Sequence, residues 1–120
     1  SRGIDINRSD LIYAGAQKNM GPAGTTLVIV RKSALGKVSR KIPAMLKYEN
    51  HIEAGSMYNT PPVFPVYVSM LTLRWIKKNG GVAGMQRANE EKATLLYNEI
   101  DRNSLFYSPT NLEDRSRMNV

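Results

Sequence analysis

Residues 11–30, LIYAGAQKNMGPAGTTLVIV, place a single lysine in a loop of small residues between two apolar runs. The first run, residues 11–14, is short and is followed by Gly15, which predicts a buried strand. The second run, residues 25–30, consists of leucine and β-branched residues. It predicts a strand covered on both faces, as in the parallel or mixed sheet of an α/β protein. Between the runs, Gly-Pro-Ala-Gly at residues 21–24 predicts a turn.

Two helices are predicted in the second half of the chain. Thr60 is a favourable N-cap and Pro61 suits the first helical position, so we expect the first helix over residues 61–78. Gly80 then supplies the glycine that commonly ends a helix, and a second helix is expected over residues 82–101. The apolar positions are Phe64, Tyr67, Val68, Leu71 and Trp75 in the first helix and Val82, Met85, Ala93, Leu96 and Ile100 in the second, in which Glu90, Glu91 and Lys92 are expected to face water.

The composition limits the class of protein. With 120 residues, 42% of them hydrophobic and 22% charged, the chain can form one modest core and at most one ordinary domain. It contains no cysteine, which excludes disulfides, thiolate metal sites and a cysteine nucleophile. No apolar run approaches the roughly 18 residues that cross a bilayer, and no signal peptide is recognisable. We therefore expect a cytoplasmic protein without a membrane partner.

The two ends of the chain predict that it is a segment of a longer protein. The first residue is not methionine, and residues 117–120 resemble the beginning of a strand. We therefore expect that other parts of the protein contribute to any active site.

The net charge of +7 raises the question of a nucleic-acid partner. The excess is concentrated between residues 31 and 47, where no acidic residue occurs. No zinc-finger spacing, heptad zipper or aromatic RNA-binding signature accompanies it. A solvated face that attracts small anions is favoured, and no nucleic-acid partner is expected, although a non-catalytic basic binding module stays an alternative. The basic residues are Arg31, Lys32, Lys37, Arg40, Lys41 and Lys47.

The lysine of the loop, Lys18, fits one chemistry better than two others. A phosphate-binding P-loop requires Ser or Thr after its lysine, whereas Lys37 is followed by Val38 and Lys18 is preceded by Gln17. The one histidine, His51, has no second imidazole at ligand spacing, so we predict no metal site and place His51 at the surface. What remains is a lysine that attacks an aldehyde, the Schiff-base chemistry of pyridoxal phosphate.

The segments YAGAQKNMGPAG at residues 13–24 and GSMYNTPP at residues 55–62 resemble the phosphoserine aminotransferase family, which belongs to the class V aminotransferases of the type I pyridoxal-phosphate fold. The resemblance extends across essentially all 120 residues, to the closing RSRMNV. It implies an α/β segment of the large cofactor domain over residues 1–101. Residues 102–120 would then form the connection to, and the start of, the small C-terminal domain.

The resemblance also implies a role for each matching position. Lys18 carries pyridoxal 5'-phosphate covalently and transfers a proton during the reaction, and Gln17 contacts the cofactor phosphate. Asn59 and Thr60 reach the phosphate of the cofactor that the neighbouring subunit holds, which implies a homodimer. The small residues around Lys18 predict a buried amine that a flat ring can approach. Thr60, at the expected helix start, would add the positive end of a helix dipole.

The implied reaction moves an amino group between L-glutamate and 3-phosphohydroxypyruvate, giving O-phosphoserine and 2-oxoglutarate in serine biosynthesis. A related step in pyridoxine biosynthesis is implied in many bacteria. Another class V aminotransferase, acting on a different small amino acid, is the nearest alternative. The family's pyridine-binding aspartate, ring-stacking aromatic residue and substrate-binding arginine match nothing in this chain, so the isolated segment is expected to be inactive.

Overall fold

The structure is a computed structural model, and it describes residues 3–119. These residues form strands β1 (Leu11–Gly15) and β2 (Thr26–Val30) and helices α1 (Tyr48–Glu53), α2 (Val63–Lys78) and α3 (Gly81–Arg102). Short 3-10 turns occur at Ile6–Arg8, Lys32–Ala34, Ala44–Leu46 and Leu112–Asp114.

Strands β1 and β2 form an antiparallel hairpin whose register runs from Leu11 opposite Val30 to Gly15 opposite Thr26. Both predicted strands are confirmed, but the expected coverage of β2 is wrong, since most of its residues are exposed. The β-branched run was correctly assigned to a strand. However, the part of the chain that the structure describes contains no element that covers its two faces.

Helix α2 begins at Val63, two residues after the expected start. Its first backbone hydrogen bond runs from the Val66 N–H to the Pro62 carbonyl, at 3.1 Å. Because Pro61 is itself followed by a proline, helical backbone angles are disfavoured at Pro61, and the helix starts only after Pro62. The prediction that Thr60 caps this helix is therefore wrong.

The predicted apolar stripe of α2 is not a buried core within residues 3–119. Phe64 is 71% exposed, and Tyr67 and Trp75 are also exposed. The buried residue of this helix is instead Ser69. Helical spacing thus identified the helix correctly, but it could not show whether its apolar side is covered by this segment.

The turn between α2 and α3 agrees with the prediction. Gly80 has φ +85° and Gly81 has φ +63°, backbone angles that glycine adopts without a Cβ penalty. Helix α3 extends one residue beyond the predicted range at each end. Glu90, however, is half-buried rather than turned to water. Gln86 donates to it at 3.1 Å, and this hydrogen bond, with Arg117 beside it, lowers the pKa of the Glu90 carboxyl.

The contacts divide the chain into two compact units, of which Asp5–Leu73 is one and residues 74–119, with residues 3–4, form the other. The first unit holds the hairpin, α1 and most of α2. The second contains α3 and the segment that follows it. The sequence analysis placed a domain boundary of the complete protein after residue 101. That boundary separates domains larger than these two units, so it stays a prediction.

The segment after α3 is fixed to that helix through Arg115. Its guanidinium donates two hydrogen bonds of 2.6 Å to the Asp101 carboxylate and lies 4.6 Å from the centre of the Tyr97 ring. Tyr97 Oη in turn donates to the Ser116 carbonyl at 3.0 Å. Residues 117–119 are not a strand, so that prediction is wrong for them, and Val120 lies outside the described residues.

Candidate functional site

Residues 16–25, called the Lys18 loop below, connect the two strands of the hairpin. The Ala16 N–H donates to the Thr25 carbonyl at 2.8 Å, which closes the base of the loop beyond the last strand pair. Inside it, the Met20 N–H donates to the Ala16 carbonyl at 3.0 Å, and Ala16 itself is only 3% exposed. A buried alanine and two short hydrogen bonds thus hold the residues around Lys18 in one conformation.

Lys18 has φ +82°, a left-handed backbone conformation that lysine rarely adopts. A non-glycine residue at such an angle costs about 1–3 kcal/mol, and residues of this kind concentrate at functional sites. The Lys18 side chain is exposed, so the expected burial of the amine is wrong for this segment. Of its small neighbours, Ala16 is buried, whereas Gly15, the last residue of β1, is exposed.

The Lys18 loop lies directly against the first turns of α2. A Cβ built on Gly24 would be 3.3 Å from Pro65 Cγ and 3.9 Å from Pro62 Cβ. A Cβ on Gly21 would be only 2.5 Å from Ser69 Oγ, closer than two such atoms approach in proteins. The two glycines of Gly-Pro-Ala-Gly therefore do more than form a turn, since they let the loop backbone approach the helix.

Asn59 and Thr60 lie in a non-helical segment between α1 and α2. The segment follows Ser56, whose φ of +68° is another left-handed angle at a non-glycine residue. Both side chains are exposed, and Asn59 Nδ2 donates to the Thr60 carbonyl at 3.2 Å. The amide and hydroxyl groups that the sequence singled out are thus accessible from solvent in this segment.

The structure places the two predicted motifs in one unit, Asp5–Leu73. A Cβ built on Gly24 would be 3.9 Å from Pro62 Cβ, so the Lys18 loop passes close to the end of the Asn59–Thr60 segment. No hydrogen bond from Asn59 or Thr60 to that loop occurs among the bonds described for residues 3–119. The free N–H groups of a helix start belong to Val63 and Phe64, so the helix-dipole argument does not apply to Thr60 itself.

Two buried hydroxyl groups, one at the last residue of the Lys18 loop and one on α2 beside it, were missed by the sequence analysis. Ser69 Oγ and Thr25 Oγ1 are buried and have no hydrogen-bond partner among the described residues. A serine within an apolar helix, two helical turns after a proline pair, was a signal for Ser69. Thr25 gave no comparable signal, since threonine is ordinary at the start of a strand.

His51 is half-buried rather than at the surface. Its Nε2 lies 2.9 Å from the Met45 carbonyl oxygen, and its ring meets the Tyr58 ring edge-on at 5.3 Å between centroids. These contacts give His51 a packing role between α1 and its neighbouring turns. Within residues 3–119, no three His, Asp or Glu side chains come together in a way that would hold a metal ion.

The basic segment lines a cavity of about 640 Å³ at the other end of the hairpin from the Lys18 loop. Leu11 and Val30 form part of its wall, and Arg40, Lys41 and Lys47 contribute positive charge. Because β1 is five residues long, this wall is about 13 Å from the base of the Lys18 loop. The positively charged wall of the cavity and Lys18 therefore lie at different ends of the hairpin.

The surroundings of Lys18 fit a flat aromatic aldehyde with an attached phosphate. A Cβ on Gly15 would meet nothing closer than Gln17 Cγ at 3.9 Å, so the space beside Gly15 is open. The exposed Gln17 amide is a neutral donor suited to a phosphate oxygen. Pyridoxal phosphate combines an aromatic aldehyde with a phosphate, and nothing in the described geometry of the Lys18 loop conflicts with it.

A family model described as aminotransferase class V matches residues 1–120. The chain belongs to the class V aminotransferase family. It is 64% identical over 120 residues to the phosphoserine aminotransferase of Flavobacterium psychrophilum and 59% identical to that of Bacteroides thetaiotaomicron. Each match covers the whole chain and 34% of the relative, so the chain spans about a third of the length of these curated relatives.

Solved structures agree with this assignment. The chain superposes on the phosphoserine aminotransferase from Bacillus circulans subsp. alkalophilus with a TM-score of 0.86 at 43% identity, covering 97% of this chain and 32% of the other. A pyridoxal-phosphate-bound phosphoserine aminotransferase from Trichomonas vaginalis gives 0.83 at 39% identity with the same coverage. The predicted α/β fold is confirmed. The roles of Gln17, Lys18, Asn59 and Thr60 stay predictions.

No helix within residues 3–119 has both the length and the apolarity needed to cross a membrane.

Proposed function

We propose that the complete protein is a phosphoserine aminotransferase that transfers an amino group between L-glutamate and 3-phosphohydroxypyruvate, as a cytoplasmic enzyme of serine biosynthesis. The observation that carries the proposal is the backbone of Lys18, which is held at φ +82° at the exposed tip of a closed loop. A chain retains such strain where the position of a side chain matters. The high identity to enzymes of that name supports the choice of substrates.

Pyridoxal 5'-phosphate, when bound, supplies an electron sink for negative charge at the substrate Cα. Lys18 would hold the cofactor through Nζ, and Gln17 would donate an N–H to a phosphate oxygen. Since the amide is neutral, it binds the phosphate without drawing the lysine into an ion pair. As a free amine, Lys18 Nζ would take the proton from the substrate Cα and deliver it to a different atom of the reacting group.

The proposal includes a homodimer in which Asn59 and Thr60 bind the phosphate held by the partner subunit. Both side chains are exposed, and the hydrogen bond from Asn59 to the Thr60 carbonyl is local, so it can be exchanged for a bond to a ligand. Two-fold symmetry makes the arrangement reciprocal, because each subunit lends the same residues to the other. Neither membrane nor nucleic acid is a proposed partner.

The experiment that tests the proposal uses the purified complete protein with added pyridoxal phosphate. We expect a yellow protein that converts glutamate and 3-phosphohydroxypyruvate to O-phosphoserine, with kcat/KM at least 100-fold above that for pyruvate or glyoxylate as amino acceptor. A yellow protein that prefers one of the unphosphorylated acceptors would identify a different class V aminotransferase. A colourless protein that binds nucleic acid in a salt-dependent manner would overturn the proposal altogether.

A further inference from the structure

Ser69 lies at the contact between α2 and the Lys18 loop, and it is 7% exposed. Its Cα and Cβ would be 3.2 and 3.3 Å from a Cβ on Gly21, and its Oγ would be 2.5 Å away. A methyl group on Gly21 would therefore collide with Ser69. Its Oγ, moreover, is buried without a partner in the described part of the chain, which is unfavourable for stability.

The backbone of the Lys18 loop carries any movement of Gly21 to the lysine. Gly21 forms a β-bridge with Gln17, the residue before Lys18. The hydrogen bond from Met20 to Ala16 closes the same few residues into one turn. A displacement of Gly21 away from α2 must therefore displace Gln17 and Lys18 as well.

We propose that Ser69 is a positioning residue for Lys18, acting through the close contact of its side chain with Gly21. Because the Ser69 side chain is small, the Lys18 loop packs against the backbone of α2. This contact sets the distance between Lys18 and the helix. The inference rests on the proposed function for its catalytic consequence. Its structural part, the transmission from Ser69 to the loop, does not require a cofactor.

Gly36 offers a control for placing a Cβ at a glycine of positive φ, although its angle differs from that of Gly21. Gly21 has φ +156° and Gly36 has φ +70°, so alanine is strained at both positions. A Cβ at Gly36 meets nothing within 4 Å, whereas one at Gly21 strikes Ser69. Gly36→Ala therefore reports general destabilisation, and Gly21→Ala adds the collision with α2.

The catalytic arm compares the complete, cofactor-loaded variants by kcat and by the pH at which the visible absorbance of the bound cofactor changes. For Gly21→Ala and Ser69→Val we expect kcat to fall about 100-fold, the loss typical of a displacement near 1 Å, together with a shifted absorbance titration. Gly36→Ala and Ser69→Ala should keep the wild-type titration. The double variant Gly21→Ala/Ser69→Ala should recover part of kcat, since it removes the 2.5 Å approach to Oγ.

The structural arm measures hydrogen exchange of the Met20 amide, which donates inside the Lys18 loop. Gly21→Ala and Ser69→Val should speed this exchange at least about 10-fold relative to Gly36→Ala. This arm also applies if the wild-type protein binds no pyridoxal phosphate, a result that would overturn the proposed function alone. If the Met20 exchange and the absorbance titration of Gly21→Ala match those of Gly36→Ala, Ser69 does not position the loop and the inference is wrong.

Discussion

The Lys18 loop and the segment around Arg115 are both irregular, yet their polar groups are satisfied to different degrees. In the loop and on the adjacent side of α2, two hydroxyl groups are buried without partners among the described residues, and the lysine has a strained backbone. Arg115 is bound to Asp101 through two hydrogen bonds and stacks on Tyr97, and only its Nε lacks a partner among the described residues. We infer that the loop is shaped for binding and the Arg115 contacts for stability, because strain and unpaired groups persist where function needs them.

The largest effect is expected from Lys18→Ala in the complete protein. Steady-state turnover should fall by about 10⁴-fold or more, because both the covalent anchor and the proton-transfer group are lost. The midpoint of thermal unfolding of the cofactor-free protein should change little, since the side chain is exposed. Near-native turnover in this variant would show that the Lys18 loop is not the functional region of the two.

The next largest effect concerns Asn59 and Thr60. Asn59→Ala and Thr60→Val should each weaken retention of pyridoxal phosphate by about 1–3 kcal/mol, the value of a charge-assisted hydrogen bond, as measured by equilibrium dialysis. Thr60→Ser, which keeps the hydroxyl, is the matched control and should bind nearly as the wild type. Equal affinity in all these variants would show that neither residue binds the cofactor phosphate.

Mixed dimers test this prediction further, because they show which subunit's Asn59 and Thr60 serve a given site. A Lys18→Ala chain combined with an Asn59→Ala/Thr60→Val chain should give one site with both lesions and one with neither. Up to about half the native activity per heterodimer is then expected. If heterodimers form but stay inactive, Asn59 and Thr60 serve their own subunit.

For the Arg115 region, the expected effect depends on pH. The hydrogen bonds from Arg115 hold the pKa of the Asp101 carboxyl below its usual value of 3.8. The folded protein therefore binds this proton less readily than the unfolded chain, so the stabilisation is complete above about pH 4 and lost as the pH falls through the folded-state pKa. The difference in unfolding midpoint between the wild type and Asp101→Asn should therefore shrink on acidification below pH 4. A difference that stays constant as the pH falls below 4 would contradict this assignment.

The smallest effect compares two substitutions at Lys18. Lys18→Gly should be more stable than Lys18→Ala by about 1 kcal/mol in chemical denaturation, because glycine adopts φ +82° without a Cβ penalty. Both variants lack the amine, so their activities should be equally low. A glycine variant that is no more stable than the alanine variant would show that the loop backbone carries no strain.

Local patterns in the sequence predicted the elements of the fold well. The β-branched run gave β2 within one residue, and Gly80 gave the left-handed turn between the two long helices. The start of α2 was missed because the effect of Pro62 on Pro61 outweighs the preference of proline for the first helical position. Burial was missed more widely, since apolar spacing does not reveal which part of a longer polypeptide covers a given face.

The candidate site was predicted in part. The resemblance predicts site roles for Lys18 and Gln17, which stay predictions, and the structure adds the strained backbone and the small residues that frame them. A serine within an apolar helix marked Ser69 as unusual, but the sequence alone did not show what it contacts. Its importance depends on a contact with Gly21, 48 positions away, that becomes visible only when the loop and the helix are placed in space.

The most direct test of the account asks which residue carries the cofactor. The complete protein is loaded with pyridoxal phosphate, reduced with borohydride, digested and mapped by mass spectrometry. We expect the stable cofactor adduct on Lys18, with none on Lys37 or Lys47 of the basic segment. An adduct on either of those lysines, with Lys18 unmodified, would contradict the central claim.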